Sequence, residues 1–231
     1  METSHLRYES NICISGLTAS GKTTHSHLLA GEFGLTYVSG SQIQLNFLGV
    51  SPIQTKDFWI TADAKKLWDA DQFRRIDAEL LKIEDRSFGC IFDTSTMPWR
   101  HRQPALCIWL ESDLKSRVLK SIVSHRGRNQ FNIGDYPSKI AEKDHATISL
   151  YQSLYGIDIG TDLLRFDLIL DIGGLISEPT LDASLASIQI AHKFVRAAVG
   201  YHLTDRPRYL EDFTSAMQEH PSVVRLCNFI S

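Results

Sequence analysis

Residues 11–24 read NICISGLTASGKTT, and this stretch decides the fold. An apolar run, Asn11–Ser15, leads into a turn carrying Gly16 and Gly21. Beyond it Leu28, Leu29 and Phe33 recur near helical spacing, and Gly34 stands where a helix C-cap would. The turn Gly16-Leu17-Thr18-Ala19-Ser20-Gly21-Lys22-Thr23 completes the pattern G-x-x-x-x-G-K-[ST] between a strand and a helix, the setting in which that pattern cradles phosphate. Its glycines let backbone amides turn inward around phosphate oxygens. The following helix, begun by Lys22, Thr23 and Thr24, offers unpaired N–H groups and a positive dipole end to the same anion. Lys22 would reach the β- and γ-phosphates, and the Thr23 hydroxyl would ligate Mg²⁺.

Working outward, short apolar runs alternate with longer amphipathic segments, the rhythm of a βαβ protein. Runs at 35–38, 88–92, 105–110 and 166–170 read as four more strands. Residues 41–86 carry no strand signal and read as helical, with Trp59 and Trp68. Helices are expected over 113–126, 140–155 and 181–199, the last placing Leu185, Ile188, Ala191 and Val195 on one face. The pattern predicts an α/β three-layer fold, a five-stranded parallel sheet flanked by helices, over residues 1–202. A helical extension over 203–231 follows, with Pro207 and Pro221 around a short helix of Tyr209, Leu210, Phe213 and Met217. Its apolar residues Val223, Val224, Leu226, Phe229 and Ile230 could pack back on the core or bury against a second subunit in a homodimer.

Composition narrows the class. The chain has 231 residues, 43% of them apolar, which excludes intrinsic disorder and a coiled coil. The 24 Lys+Arg and 27 Asp+Glu give a net charge of −3, so no global charge points to nucleic acid or a membrane surface. Cys13, Cys90, Cys107 and Cys227 fit neither a zinc site nor a disulfide framework, and no apolar run is long enough to span a membrane. Residues 1–10 show no apolar signal core, and a cytoplasmic location is expected. His25 and His27, two apart, do not read as metal ligands.

Asp93 ends the third apolar run, at the carboxyl edge where open α/β sheets bind ligands. It could orient Mg²⁺ or take a proton from an attacking hydroxyl. After the fourth run come Lys115, Arg117, Lys120, Arg126 and Arg128. Arg117 and Lys120 share a helix face and could neutralise a migrating phosphoryl group. Residues 126–129, Arg-Gly-Arg-Asn, suggest a lid within about 124–142 that excludes water.

Taken together, ICISGLTASGKTT…LLAGEFGLTYVSGSQI, DADQFRRID, ALCIWLESDLKSRV and YQSLYGIDIGTDLLRFDLILD resemble the cytidylate kinase-like group of P-loop nucleoside monophosphate kinases over residues 11–200. The resemblance implies ATP and Mg²⁺ as cofactors, a helical acceptor-binding region at about 41–86 and an arginine-bearing lid. Acceptor contacts are then expected from Ser41, Arg74, Arg75, Asp77, Thr94, Ser95 and Lys143.

The departures lie on the acceptor side. The arginine of the family's segment after the second strand is replaced in Ser41-Gln-Ile-Gln-Leu45, and the acidic-Gly-Arg stretch is Asp93-Thr94-Ser95. Late arginines become Lys143 and Leu150. Arg74, Arg75, Arg100 or Arg102 could substitute, or Thr94 and Ser95 could recognise an acceptor without phosphate, with Asp93 as base. The sequence thus points to an ATP-dependent phosphotransferase acting on a CMP- or UMP-type nucleotide or a modified nucleotide. Its alternatives are a small-molecule hydroxyl kinase and a non-catalytic nucleotide-binding module. The partner expected is a small acceptor, neither nucleic acid nor membrane.

Overall fold

The computed structural model describes residues 9–49, 69–126 and 132–229. Its strands are β1 (Asn11–Ser15), β2 (Thr36–Ser39), β3 (Cys90–Asp93), β4 (Ala105–Glu111), β5 (Leu168–Asp171) and β6 (Val224–Cys227). They form one sheet in the order β2-β3-β1-β4-β5-β6. The first five are parallel, and β6 pairs antiparallel with β5. The helices are α1 (Lys22–Phe33), α2 (Gly40–Phe47), α3 (Ala70–Arg86), α4 (Met97–Arg100), α5 (Leu114–Ser124), α6 (Tyr136–Tyr155), α7 (Leu181–Thr204) and α8 (Pro207–Glu219).

Strand alternation explains the three layers. Successive side chains point to opposite faces. Ile12, Ile14, Ile91, Leu106, Ile108, Leu110, Leu168 and Leu170 therefore enter one core, against Leu29 and Phe33 of α1 and Phe194, Ala198 and Phe213 of α7 and α8. Cys13, Phe92, Cys107, Trp109 and Ile169 enter the other, against Phe73, Ile76 and Leu80 of α3 and Tyr151 of α6. A strand buried on both faces reads as a continuous apolar run, which is why these strands are visible in the sequence.

The sheet has six strands where five were expected. β6 is four residues long and only partly buried, so neither alternation nor a long apolar run marks it. It covers the outer edge of β5, with Asp171 N–H donating to Val223 O at 2.7 Å and Asn228 N–H to Asp167 O at 2.7 Å. Of the tail residues expected to bury, Val223 joins the main core and Val224 and Phe229 pack against it, while Leu226 packs on the opposite face. Ile230, like Trp59, Trp68 and Arg128, lies outside the described residues.

Several boundaries also move. The strand expected at 88–92 begins at Cys90, because Phe88 is 49% exposed in the preceding turn. Leu28 and Leu185 lie on exposed faces of their helices rather than on the apolar stripe. The helix expected from 140 starts at Tyr136, where Pro137 occupies its first turn.

Phe213 is fully buried and meets Phe194 and Phe229 edge-on, with centroids 5.7 and 5.1 Å away. Phe213→Ala should lower unfolding free energy by about 3–5 kcal/mol in urea titration, the usual effect of emptying a large core site. A loss below about 1 kcal/mol would show that α8 adds little to the core.

Candidate active site

The site begins where β1 turns into α1. Gly16 has φ +148°, and a Cβ there would meet Leu110 O at 2.6 Å and Ser20 Oγ at 2.6 Å. Only glycine lets the loop leave the strand this close to β4. Gly21, at φ +106°, is the N-cap of α1 and supplies no side-chain hydrogen bond. The first amides of α1 are therefore left for a ligand rather than consumed by a cap. Lys22 folds back over the loop, its Nζ donating to Gly16 O and Leu17 O at 2.8 Å each. Burial, ahead of any neighbouring charge, lowers its pKa.

Register brings Asp93 to the loop. Ile14 pairs with Asp93 across β1 and β3, so the carboxylate emerges one residue beneath the turn. Thr23 Oγ1 donates to Asp93 Oδ2 at 2.6 Å, and Tyr37 Oη donates to the same oxygen at 2.9 Å. Burial and the Asp93 charge push the Tyr37 phenol well above its ordinary pKa. A hydroxyl and a carboxylate are hard oxygen donors of the kind Mg²⁺ takes alongside phosphate oxygens, so the pair fits that ion. Among the described residues no group of three or more His, Cys, Asp or Glu gathers as a separate metal site.

Arg117 is placed differently from a lid residue. It is 6% exposed, on α5, and ion-pairs with Asp144 of α6. Its Nε donates to Ser112 O at 3.0 Å and its Nη1 to Thr18 O at 3.0 Å. Asp144 in turn accepts from Thr18 N–H at 2.9 Å. One buried ion pair therefore grips both the N–H and the C=O of a loop residue. Sequence reasoning missed Asp144, because one carboxylate within the charged run Glu142-Lys143-Asp144 looks like a solvated helix face.

Lys143, one residue earlier on α6, interacts electrostatically with Lys22, Asp144 and Asp93. Burial first, then the Lys22 charge, lower its amine to about 8. Lys120 is also lowered to about 8 by burial, opposed by Asp113. Its Nζ lies 3.4 Å from Ser112 Oγ.

The remaining expected acceptor residues divide. Asp77 is buried, and its Oδ1 accepts from Tyr151 Oη at 3.2 Å and Thr96 Oγ1 at 3.3 Å. Its Oδ2 is buried without a hydrogen-bond partner. Burial raises its pKa against the nearby Tyr155 hydroxyl and Arg100 charge. Thr94 Oγ1 accepts from the amides of Thr96 and Met97, capping the turn into α4. Ser95 O accepts from Ser15 Oγ at 3.2 Å, tying that turn to β1. Ser41 is exposed in the first turn of α2. Arg74 and Arg75 are exposed on α3, one paired with Asp71 and the other over the Phe47 ring at 4.7 Å. Of the expected lid, residues 127–131 lie outside the described residues.

Asp144→Ala should lower stability by about 3–5 kcal/mol in denaturant unfolding, since it leaves the Arg117 charge buried and unpaired. Adding Arg117→Met should recover part of that loss; a single variant with wild-type stability would remove the clamp. A second expectation follows from the amines at about 8. An anion bound beside them raises their pKa, so ATP binding should take up protons just above pH 8 and weaken as pH rises further. At about pH 6 both amines already carry their protons and uptake should vanish. Calorimetry in buffers of different ionisation enthalpy reads this directly, and Lys143→Gln should diminish the uptake.

No family model matches the chain. The cytidylate kinase of Pyrobaculum aerophilum is 28% identical over 176 residues, covering 75% of this chain and 90% of the relative. That of Pyrococcus horikoshii is 28% identical over 161 residues, covering 69% and 78%. Among solved structures, a shikimate kinase from Acinetobacter baumannii in complex with shikimate aligns at TM-score 0.42 and 13% identity, over 80% of this chain and 93% of that one. A likeness at that score has no bearing on the acceptor. With its phosphate loop and strand order, the chain is a P-loop kinase, and its sequence is similar to these cytidylate kinases.

Proposed function

We propose that the protein transfers the γ-phosphoryl group of ATP to a small acceptor, a nucleoside monophosphate of the CMP or UMP type or a modified nucleotide. The observation that carries this reading is the pairing of an uncapped helix N-terminus with the Thr23–Asp93 contact, behind a lysine folded over the loop. Backbone amides from Gly16 to Thr24 would cradle the β-phosphate, and Lys22 would bridge to the γ-phosphate. Thr23 and Asp93 would hold Mg²⁺, which when bound neutralises charge on the phosphate oxygens. Lys143 adds a second cation that interacts electrostatically with Lys22. Lys120 extends positive potential along α5, while Arg117 keeps the loop in shape through Thr18.

On the acceptor side both donors to Asp93 meet Oδ2, so its other oxygen can orient an acceptor hydroxyl. Asp77 Oδ2 suits a hydrogen-bond donor on the acceptor, and Thr94 and Ser95 line the turn between the two carboxylates. A second reading, a kinase of a small-molecule hydroxyl, is favoured by Leu45 and Leu150. Leu45 is buried and Leu150 packs against the core beside Tyr151, where the family resemblance implies arginines. Each charge-assisted bond to phosphate is worth about 1.5–3 kcal/mol, so their absence weakens the grip on an acceptor phosphate.

Two experiments test the function. Lys22→Ala should abolish transfer while the protein stays folded, with a modest fall in melting temperature from the lost hydrogen bonds to Gly16 O and Leu17 O; retained turnover would defeat the assignment. A panel of CMP, dCMP, UMP and non-phosphorylated alcohols, with ADP release as readout, separates the acceptors. Turnover with the nucleotides alone supports the first reading, and turnover with an alcohol alone supports the second. ATP consumption that no acceptor stimulates would leave a nucleotide-binding module.

A further inference from the structure

Away from the loop, on the α3 side of the sheet, two adjoining lobes of about 410 Å³ each share Leu81, Arg100, Arg102 and Tyr155. That volume is within the range of small-molecule sites. One lobe adds Trp99, Asp162 and Arg165, the other Arg74, Lys82 and Asp85. Five cationic side chains line the cleft with two carboxylates, and of the five Arg74 and Lys82 are already paired with Asp71 and Glu79 outside it.

The carboxylates do not use up this charge. Asp162 accepts from Trp99 Nε1 at 3.0 Å, and Asp85 stands 3.6 Å from Arg102. Among the described residues neither Arg100 nor Arg165 has a carboxylate at ion-pair distance. Arg100 is held in place by stacking, its guanidinium 4.0 Å from the Tyr155 ring centroid. Its Nε is buried and makes no hydrogen bond. Asp77 acts on Arg100 only through space. A desolvated guanidinium N–H without an acceptor is unfavourable, and an anionic oxygen resolves it. A fixed planar fork flanked by further cations matches the several oxygens of a phosphate better than a single carboxylate.

We propose that this cleft is a binding site for a phosphomonoester, with Arg100 as its fixed contact and Arg102 and Arg165 closing on the remaining oxygens. The phosphomonoester is either the phosphorylated acceptor or a separate molecule. In the first case, which rests on the kinase reading above, these arginines would take the place of guanidinium groups at Leu45 and Leu150.

The test titrates inorganic phosphate, followed by ³¹P NMR and calorimetry, into wild-type protein and into Lys22→Ala, which weakens the loop's hold on phosphate by removing its lysine, so that the arginine variants decide which site is read. Saturable binding should survive Lys22→Ala and fall by about tenfold or more in Arg100→Gln and in Arg165→Gln, the loss expected for one charge-assisted bond. Arg165 is exposed, so its variant keeps the test valid if Arg100→Gln unfolds. Absence of saturable binding in Lys22→Ala, or binding unchanged in both arginine variants, would overturn the proposal. Kinetics then distinguish the sources. A raised KM for CMP in Arg165→Gln, at unchanged KM for ATP, identifies the acceptor's phosphate. An unchanged KM identifies a separate phosphomonoester. The phosphate titration stands by itself if no acceptor is turned over.

Discussion

The structure depends on a backbone that is kept from satisfying itself. At the end of β1 the chain turns through Gly16 to Gly21 and opens α1 without a side-chain cap, so the first amide hydrogens of α1 are left for a ligand. Exposed amides of this kind collapse onto neighbouring acceptors unless something holds them. Here Lys22 does so from within, through Gly16 O and Leu17 O, and the Arg117–Asp144 pair does so from outside, through both polar groups of Thr18. Pre-organisation of this sort is how a protein places donors where charge will arrive without reorganising them afterwards.

The sheet supplies the rest by register. Parallel pairing of β1 with β3 sets Asp93 next to Ile14, and pairing of β1 with β4 brings Leu110 close enough that the turn needs glycine. The same alternation that buries Ile14 and Ile91 in one core and Phe92 in the other leaves Asp93 at the carboxyl edge, within reach of Thr23 and Tyr37. α6 then links the two halves of the site. Asp144 binds the loop at Thr18, and Tyr151, two turns later, holds Asp77, the carboxylate proposed to meet the acceptor.

β1, β3, β4 and β5 were legible because burial on both faces writes an apolar run of four or more residues, whereas the edge strand β2 buries only Val38 and was marked by the shorter run after Gly34. The phosphate loop was legible because its geometry demands glycine at Gly16 and Gly21 and a lysine at a fixed step beyond. β6 was not, being short, half-exposed and defined only by the edge it covers. Arg117 was legible as a cation near the site, but its partner was not. Thr18, Arg117 and Asp144 are far apart in sequence, and only the packing of α5 on α6 brings them together. Leu28 and Leu185 show the converse, apolar residues at helical spacing that the helix turns outward. The arginine cleft is likewise assembled from α3, α4 with the segment after it, and the end of α6 with the turn that follows, so its arginines could be named in the sequence but not seen to share one cleft.

The most direct measurement of the central claim is the amide spectrum of the loop itself. Uniformly ¹⁵N-labelled protein titrated with ADP and Mg²⁺ should show the backbone resonances of Gly16 to Thr24 moving strongly, Gly21 and Lys22 foremost, with protected hydrogen exchange at saturation. Unchanged loop resonances in folded protein, at nucleotide concentrations that saturate a P-loop, would contradict the account.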